Sequence, residues 1–159
     1  MATLVAQLPV ALDASSIFYD VGSGYGRFAL YLALATPCAT VVGVELHEGR
    51  HAKAAKMHRA LGAAGTTDVA HLHFEEGDAR QTSWRPVTHL YMCSTCFRAE
   101  LCTAIVRRCP SSLQCIVCLT QLVNVPDWEL AKTCTVACTW NTSTTAYFYT
   151  RRTPSGDDV

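Results

Sequence analysis

The stretch Phe18-Tyr19-Asp20-Val21-Gly22-Ser23-Gly24-Tyr25-Gly26-Arg27 decides the fold. It begins in a short run rich in β-branched and aromatic residues, the pattern of a buried strand, and ends where apolar side chains take up helical spacing from Arg27 to Ala35. The glycines between them permit a turn tight enough to bring backbone against a bound molecule. The helix that follows offers unpaired N–H groups. A dinucleotide site asks for glycines at the first, third and sixth positions of such a turn. Here they fall at the first, third and fifth, and Arg27 stands where the last is needed. Asp20, two residues before the first glycine, would repel a pyrophosphate and attract a cation.

Outward from this turn, two patterns alternate. Strands are predicted near Ile17 to Asp20, Thr40 to Glu45, His71 to Glu75, Thr88 to Met92, Leu113 to Gln121, Cys134 to Thr139 and Thr145 to Arg151. Helices are predicted near Arg27 to Ala35, Gly49 to Leu61 and Phe97 to Arg108, with a short one over Asp127 to Lys132 introduced by Asn124 and Pro126. Strand–helix alternation means parallel pairing with right-handed crossovers. The last two strands have no room for a helix between them and are expected to form an antiparallel hairpin. The expected fold is a Rossmann-like α/β domain over residues 1–152, with a seven-stranded, mostly parallel sheet, helices on both faces and a polar tail at 153–159.

Composition agrees with a covered sheet. Of 159 residues, 50% are apolar and 16% charged, against a usual charged share of about 25%. Basic and acidic residues balance at 13 each, so no overall charge points to nucleic acid or an anionic membrane. The first residues lack a secretory signal, and no apolar run approaches a membrane span of about 20 residues. The expectation is an intracellular protein, cytoplasmic or nuclear, in which the nine cysteines are free and mostly buried. Asn141-Thr142-Ser143 matches a glycosylation acceptor, a pattern that carries weight only in an exported chain.

Two further carboxylates follow strands that should neighbour the first. Glu45 ends the second strand, about 20 residues beyond the turn, where ribose hydroxyls are commonly bound. Asp78 follows the third strand and is placed to accept from an adenine amine. Taken singly, each is as readily a helix cap or a solvated side chain. Together with Asp20 they suit S-adenosylmethionine (SAM), whose sulfonium and ammonium are both cationic.

With these residues in view, the sequence resembles the class I methyltransferases, and within them the Dot-one-like branch, whose best known members methylate a histone lysine. Three stretches carry the resemblance: Phe18 to Gly26 with Val42 to Gly49, Ser94-Thr95-Cys96-Phe97 with Glu100-Leu101, and Thr139-Trp140 leading to Tyr147-Phe148-Tyr149. The resemblance implies that Asp20, Gly22, Ser23, Gly24, Tyr25, Gly26, Glu45, Leu46, Asp78 and Ala79 hold SAM or its product S-adenosylhomocysteine. It also implies that Cys93, Ser94 and Tyr147 serve catalysis, and that Tyr91, Thr95, Phe97 and Trp140 line the channel by which an amine reaches the methyl group. Two departures stand out. Cys93 occupies a position where relatives have Asn, and only a short leader precedes Asp20 where the histone enzymes carry a region lying over the cofactor. The lid is expected to be absent from this chain, which leaves three alternatives: a partner protein supplies it, the substrate is something other than a histone, or the chain binds cofactor without turnover.

Blander or rival roles compete at several positions. Cys93-x-x-Cys96 and Cys115-x-x-Cys118 have the spacing of a four-cysteine zinc site, but the second pair lies in an apolar strand, where residues three apart point to opposite faces. No metal is therefore expected. Ser94 and Thr95 suit a helix cap, and Phe97, Trp140 and Tyr147 suit a core, with Tyr147 the best placed for a pocket. His71 and His73 share a strand face but are too few for a metal. Lys53, Lys56 and Arg59 form a helical stripe best read as solvated. Three function classes remain: a SAM-dependent methyltransferase of a nitrogen acceptor, with protein lysine as the family's example; a silent SAM-binding scaffold or regulatory subunit; and a NAD-binding Rossmann protein. A protein substrate or partner subunit is expected, and the sequence leaves the oligomeric state open.

Overall fold

A computed structural model describes residues 1–65, 71–138 and 141–153. Strands β1 (Ile17–Val21), β2 (Thr40–Glu45), β3 (Leu72–Glu76), β4 (His89–Met92), β5 (Cys115–Cys118), β6 (Trp128–Val136) and β7 (Thr144–Arg151) form one sheet in the order β3-β2-β1-β4-β5-β7-β6. The first five pair in parallel, and β7 runs antiparallel to both β5 and β6. The expected mostly parallel sheet with a closing antiparallel hairpin is thus present. Chain order reverses between β1 and β4, and so opens a crevice at the carboxyl ends of the strands there.

The period-2 pattern divides the core. Phe18, Val41, Tyr91, Val117 and Phe148 face one side, against α1 (Ala2–Ala6) and α2 (Arg27–Ala35). Tyr19, Val21, Leu90, Ile116 and Tyr149 face the other, where α4 (Ala99–Arg108) packs through Cys102, Ile105 and Val106. Helix α3 (Glu48–Ala63) lies against β3 and β2. Cys115 and Cys118 belong to opposite halves of this core, so strand parity separates the two thiols that a zinc site would have to share.

The leader is not a loose arm. Leu4 is buried, Val5, Leu8 and Val10 pack on the α2 side, and the Val10 carbonyl is bonded to Nε2 of the buried His89 at 3.1 Å. Sequence spacing did not reveal α1, which is only five residues long.

The helix expected over Asp127 to Lys132 is a strand. Asn124 takes a left-handed φ of 55° instead of capping a helix, and Trp128 to Lys132 pair with Arg151 to Phe148. A bulge between Leu130 and Lys132 hides the period. Leu130 pairs with Tyr149 on the α4 face, whereas Lys132 pairs with Phe148 on the α2 face. Long-range pairing outweighs the helix propensity of Glu, Leu, Ala and Lys. The strand expected over Leu113 to Gln121 is shorter at both ends, spanning Cys115–Cys118.

Candidate cofactor site

The turn after β1 is built by backbone strain that glycine tolerates. Gly22, Gly24 and Gly26 have φ of 74°, 58° and 74°. At Gly26 a side chain would also strike the Phe74 ring and stand 2.9 Å from the Cβ of Ala54, so this glycine lets α3 and β3 close on the turn. The fifth-position glycine, which counted against a dinucleotide, thus has a packing cause. At Gly22 a Cβ would meet the Phe97 ring at 3.0 Å and the Cys93 carbonyl at 3.7 Å. The N–H groups of Gly22 and Ser23 both donate to the Val44 carbonyl, tying the turn to β2.

Glu45 fixes the same turn from the other side. Its Oε2 accepts from the Gly24 N–H at 2.8 Å, and its Oε1 accepts from the His47 N–H at 2.8 Å and from Arg50 Nη2 at 3.0 Å. The residue is 4% exposed, and its carbonyl accepts from the Gly77 N–H. Asp78 stands in the next turn, with Oδ1 accepting from the Arg80 N–H at 2.8 Å and both oxygens engaged by the Arg80 guanidinium. Those bonds hold its carboxyl below the ordinary carboxylate range.

A cavity of about 390 Å³ opens between these turns. Of the residues expected at the site, Gly22, Glu45, Leu46, Asp78 and Ala79 line it on the cofactor side, and Cys93, Thr95 and Phe97 on the other. Arg50, Gly77 and Cys96 also line it, as do Leu101 and Ile105 from α4; none of these five was expected as a site residue, although Cys96 and Leu101 lie in the stretch that carries the resemblance. The spacing Phe97, Leu101, Ile105 at intervals of four was an available signal for the α4 wall.

Asp20 lies behind this wall. It is 1% exposed, one of its oxygens, Oδ2, has no hydrogen-bond partner, and burial raises its pKa to about 7. The Ala29 N–H opposes that rise, and the Glu45 charge adds to it. An unpaired buried carboxylate oxygen at the strand tip is the kind of acceptor an ammonium group satisfies.

Other expectations need correction. Tyr25 is 43% exposed and lies under Lys53 Nζ, 5.0 Å from the ring centroid, outside the cavity. Ser23, Gly24 and Gly26 shape the turn without lining the cavity. Tyr91 is core, packed edge-on to Phe28 with centroids 4.8 Å apart. Tyr147 belongs to the α4 face, opposite Tyr91, because Tyr91 aligns with Val117 and Val117 with Phe148. One channel wall cannot be made from both tyrosines on these strands. Ser94 is wholly buried; its Oγ accepts from the Leu119 N–H at 3.0 Å, and α4 begins after Arg98 without a side-chain cap. Ser94 therefore locks β4 to the end of β5 rather than capping or reacting. Trp140 lies outside the described residues.

Cys93 reaches the cavity with its thiol pushed up to about 11, by burial first and then by the Asp20 charge. It is a neutral, weak hydrogen-bonding group there.

Comparison with solved structures shows the same fold. A TrmK of M. capricolum, crystallised with S-adenosylhomocysteine, aligns over 95% of this chain and 67% of its own, with TM-score 0.70 and 8% identity. An RNA methyltransferase of Salinibacter ruber, also with S-adenosylhomocysteine, aligns over 98% and 90%, with TM-score 0.67 and 18% identity. A SAM-dependent methyltransferase of Thiobacillus denitrificans aligns over 89% and 54%, with TM-score 0.54 and 22% identity. No curated protein matches by sequence. Among the described residues, no helix is long and apolar enough to cross a membrane. The family of "Histone methylation protein DOT1" matches residues 1–85, from the leader through the glycine turn and the Asp78 turn; with more than half of its length so matched, the chain belongs to the DOT1 family.

Proposed function

We propose that the protein is a SAM-dependent methyltransferase that acts on a nitrogen acceptor, with a protein lysine the favoured one. The observation that carries this reading is the cavity at the strand tips whose polar rim is Glu45 and Asp78, backed by the unpaired oxygen of Asp20. Glu45 and Asp78 suit the ribose hydroxyls and the adenine amine, Asp20 suits the ammonium, and Leu46, Ala79, Leu101 and Ile105 give the purine an apolar slot. Family membership and the S-adenosylhomocysteine bound by two structural neighbours support the same cofactor.

When bound, SAM supplies an electrophilic methyl group. The protein's own contribution is alignment and exclusion of water from an uncharged amine, since amine methylation needs no strong base. The Cys93 carbonyl, close to Gly22, is the acceptor best placed to orient that amine. A neutral Cys93 thiol in place of the amide of relatives favours a second reading, in which the protein binds cofactor as a silent partner of another chain. NAD fits poorly, because its pyrophosphate would meet the Asp20 and Glu45 carboxylates.

Calorimetric titration with SAM, S-adenosylhomocysteine and NAD, followed by radiolabelled methyl transfer to nuclear extract, tests the proposal. Binding of the first two ligands, with label in protein that rises in Cys93→Asn, is expected. Binding without transfer in either form supports the silent reading, and absence of binding overturns both.

A further inference from the structure

A second groove, of about 590 Å³, lies on the α4 face beside the outer hairpin and shares no residue with the cofactor cavity. Its apolar floor has Trp128 and Tyr149 buried beneath it and Val125, Pro126 and Leu130 open to it, and its rim carries Arg107 and Arg152. No carboxylate lines it; Asp127 and Glu129, the acids of the adjoining chain, are not among its walls. The ion pairs of the described residues are Arg50–Glu45 and Arg80–Asp78, and neither rim guanidinium belongs to one of them. Arg108 adds a further exposed charge nearby in sequence, while Arg151 is used internally, stacked 4.9 Å from the Trp128 ring and bonded to the Leu113 carbonyl.

The wall of this groove is held in place. Asn124 is the one non-glycine residue described with a left-handed φ, and its carbonyl accepts from Arg107 Nη2 at 3.2 Å. The neighbouring Val123 carbonyl accepts from Thr103 Oγ1 at 2.7 Å. Two side chains of α4 thus pin a segment that turns through a left-handed residue.

We propose that this groove binds a short stretch of single-stranded nucleic acid, with Arg107 and Arg152 on successive phosphates and a base over the apolar floor. Charge alone would also admit an acidic peptide. The chemistry favours nucleic acid, because the apolar floor flanked by cations matches the alternation of base and phosphate, and the side chains of Gln121 and Asn124 supply amide groups for base edges. The neighbouring edge strand argues against an added peptide strand. β6 carries a bulge between Leu130 and Lys132, which breaks the regular ladder such a strand would need.

The test is fluorescence anisotropy of the full chain with labelled eight-nucleotide poly-uridine and poly-adenosine, from 50 to 200 mM salt. Each phosphate contact on a single strand contributes about 0.7 to the slope of log K against log salt, which corresponds to roughly an eightfold gain at 50 mM. The double variant Arg107→Gln, Arg152→Gln should therefore bind about 60-fold more weakly at 50 mM and lose about 1.4 from the slope. Its affinity for S-adenosylhomocysteine should be unchanged, which shows the fold intact although the Arg107 bond to the Asn124 carbonyl is lost. Lys53→Gln with Lys56→Gln, on the far basic stripe, should bind as wild type does. The proposal fails if wild type does not bind, if the stripe variant rather than the groove variant loses binding, or if oligoglutamate of equal charge competes as well as the oligonucleotide.

Discussion

Replacing Asp20 by Asn should make the empty protein more stable at pH 8 and its cofactor binding worse. Burial carries this carboxyl from 3.8 to about 7, so ionising it in the fold costs roughly 4 kcal/mol relative to the unfolded chain. The sign follows from proton counts. Between pH 3.8 and about 7 the unfolded chain has lost the Asp20 proton while the folded one keeps it, so stability falls as pH rises through that window and is level above it. From pH 5 to pH 8 the part that accrues is about 2–3 kcal/mol, which in a chain of this size is about 4–12 °C in melting temperature. The amide group introduces an unpaired N–H of its own, at about 1–3 kcal/mol, independent of pH. The quantity to measure is therefore the melting temperature of Asp20→Asn minus that of wild type, from pH 5 to pH 8, since the subtraction cancels every other titrating group.

That difference should grow with pH by the amount given. Calorimetry at pH 8 should show at least a tenfold loss of affinity for S-adenosylhomocysteine, whose ammonium loses an ionised partner. In wild type the affinity should fall below pH 7, and in the variant it should be flat. A melting difference independent of pH would refute the burial argument, and an unchanged affinity would refute the assignment of Asp20 to the ammonium.

Glu45→Gln keeps the shape but leaves the Gly24 or His47 N–H facing an amide donor and breaks the Arg50 ion pair; a loss of about 2–3 kcal/mol and at least tenfold weaker S-adenosylhomocysteine binding are expected, read by melting and calorimetry. Ser94→Ala strands the buried Leu119 N–H and should cost about 1–3 kcal/mol while leaving that affinity intact, whereas a catalytic serine would leave the melting temperature intact and cut turnover. Burial holds His89 below its ordinary 6.5, so its contribution is complete above pH 6.5 and is lost as pH falls through the lower folded value. His89→Gln should accordingly flatten part of the decline in melting temperature from pH 7 to pH 5, and an identical decline in both proteins would remove His89 from the account.

The sheet was legible because its parallel half depends on local signals. A strand, a glycine turn and a helix are each written within ten or so residues, and alternation then dictates crossovers. Glu45 and Asp78 were legible for the same reason, since parallel pairing brings the end of β2 and the turn after β3 to the same edge of the sheet as the glycine turn. What failed was everything that depends on register. Whether Tyr147 shares a face with Tyr91 is fixed by the pairing of β4, β5 and β7, which no local pattern records. The bulge in β6 shifts the face between Leu130 and Lys132, so a strand whose apolar residues alternate by number nevertheless changes side. Arg50 and Ile105 were missed because they reach the cavity from helices, and the face a helix turns inward is settled by packing.

The two halves of the site rest on different kinds of structure, and this bears on what Cys93 changes. The cofactor half is mostly backbone and strand-end carboxylate: the glycine turn, the bonds from Gly24 and His47 to Glu45, and the Asp78 turn. None of these groups is supplied by position 93. In the function proposed above, the acceptor half is formed by side chains around Cys93, which sits after β4 on the α2 face with Asp20 and Tyr91 behind it, while Phe97 and Leu101 close the cavity from the α4 side. Exchanging an amide for a thiol there removes a donor and an acceptor from the acceptor half and leaves the cofactor half as it was. Cofactor affinity and turnover are therefore separable in this protein: Cys93→Asn should raise methyl transfer at nearly constant affinity for S-adenosylhomocysteine.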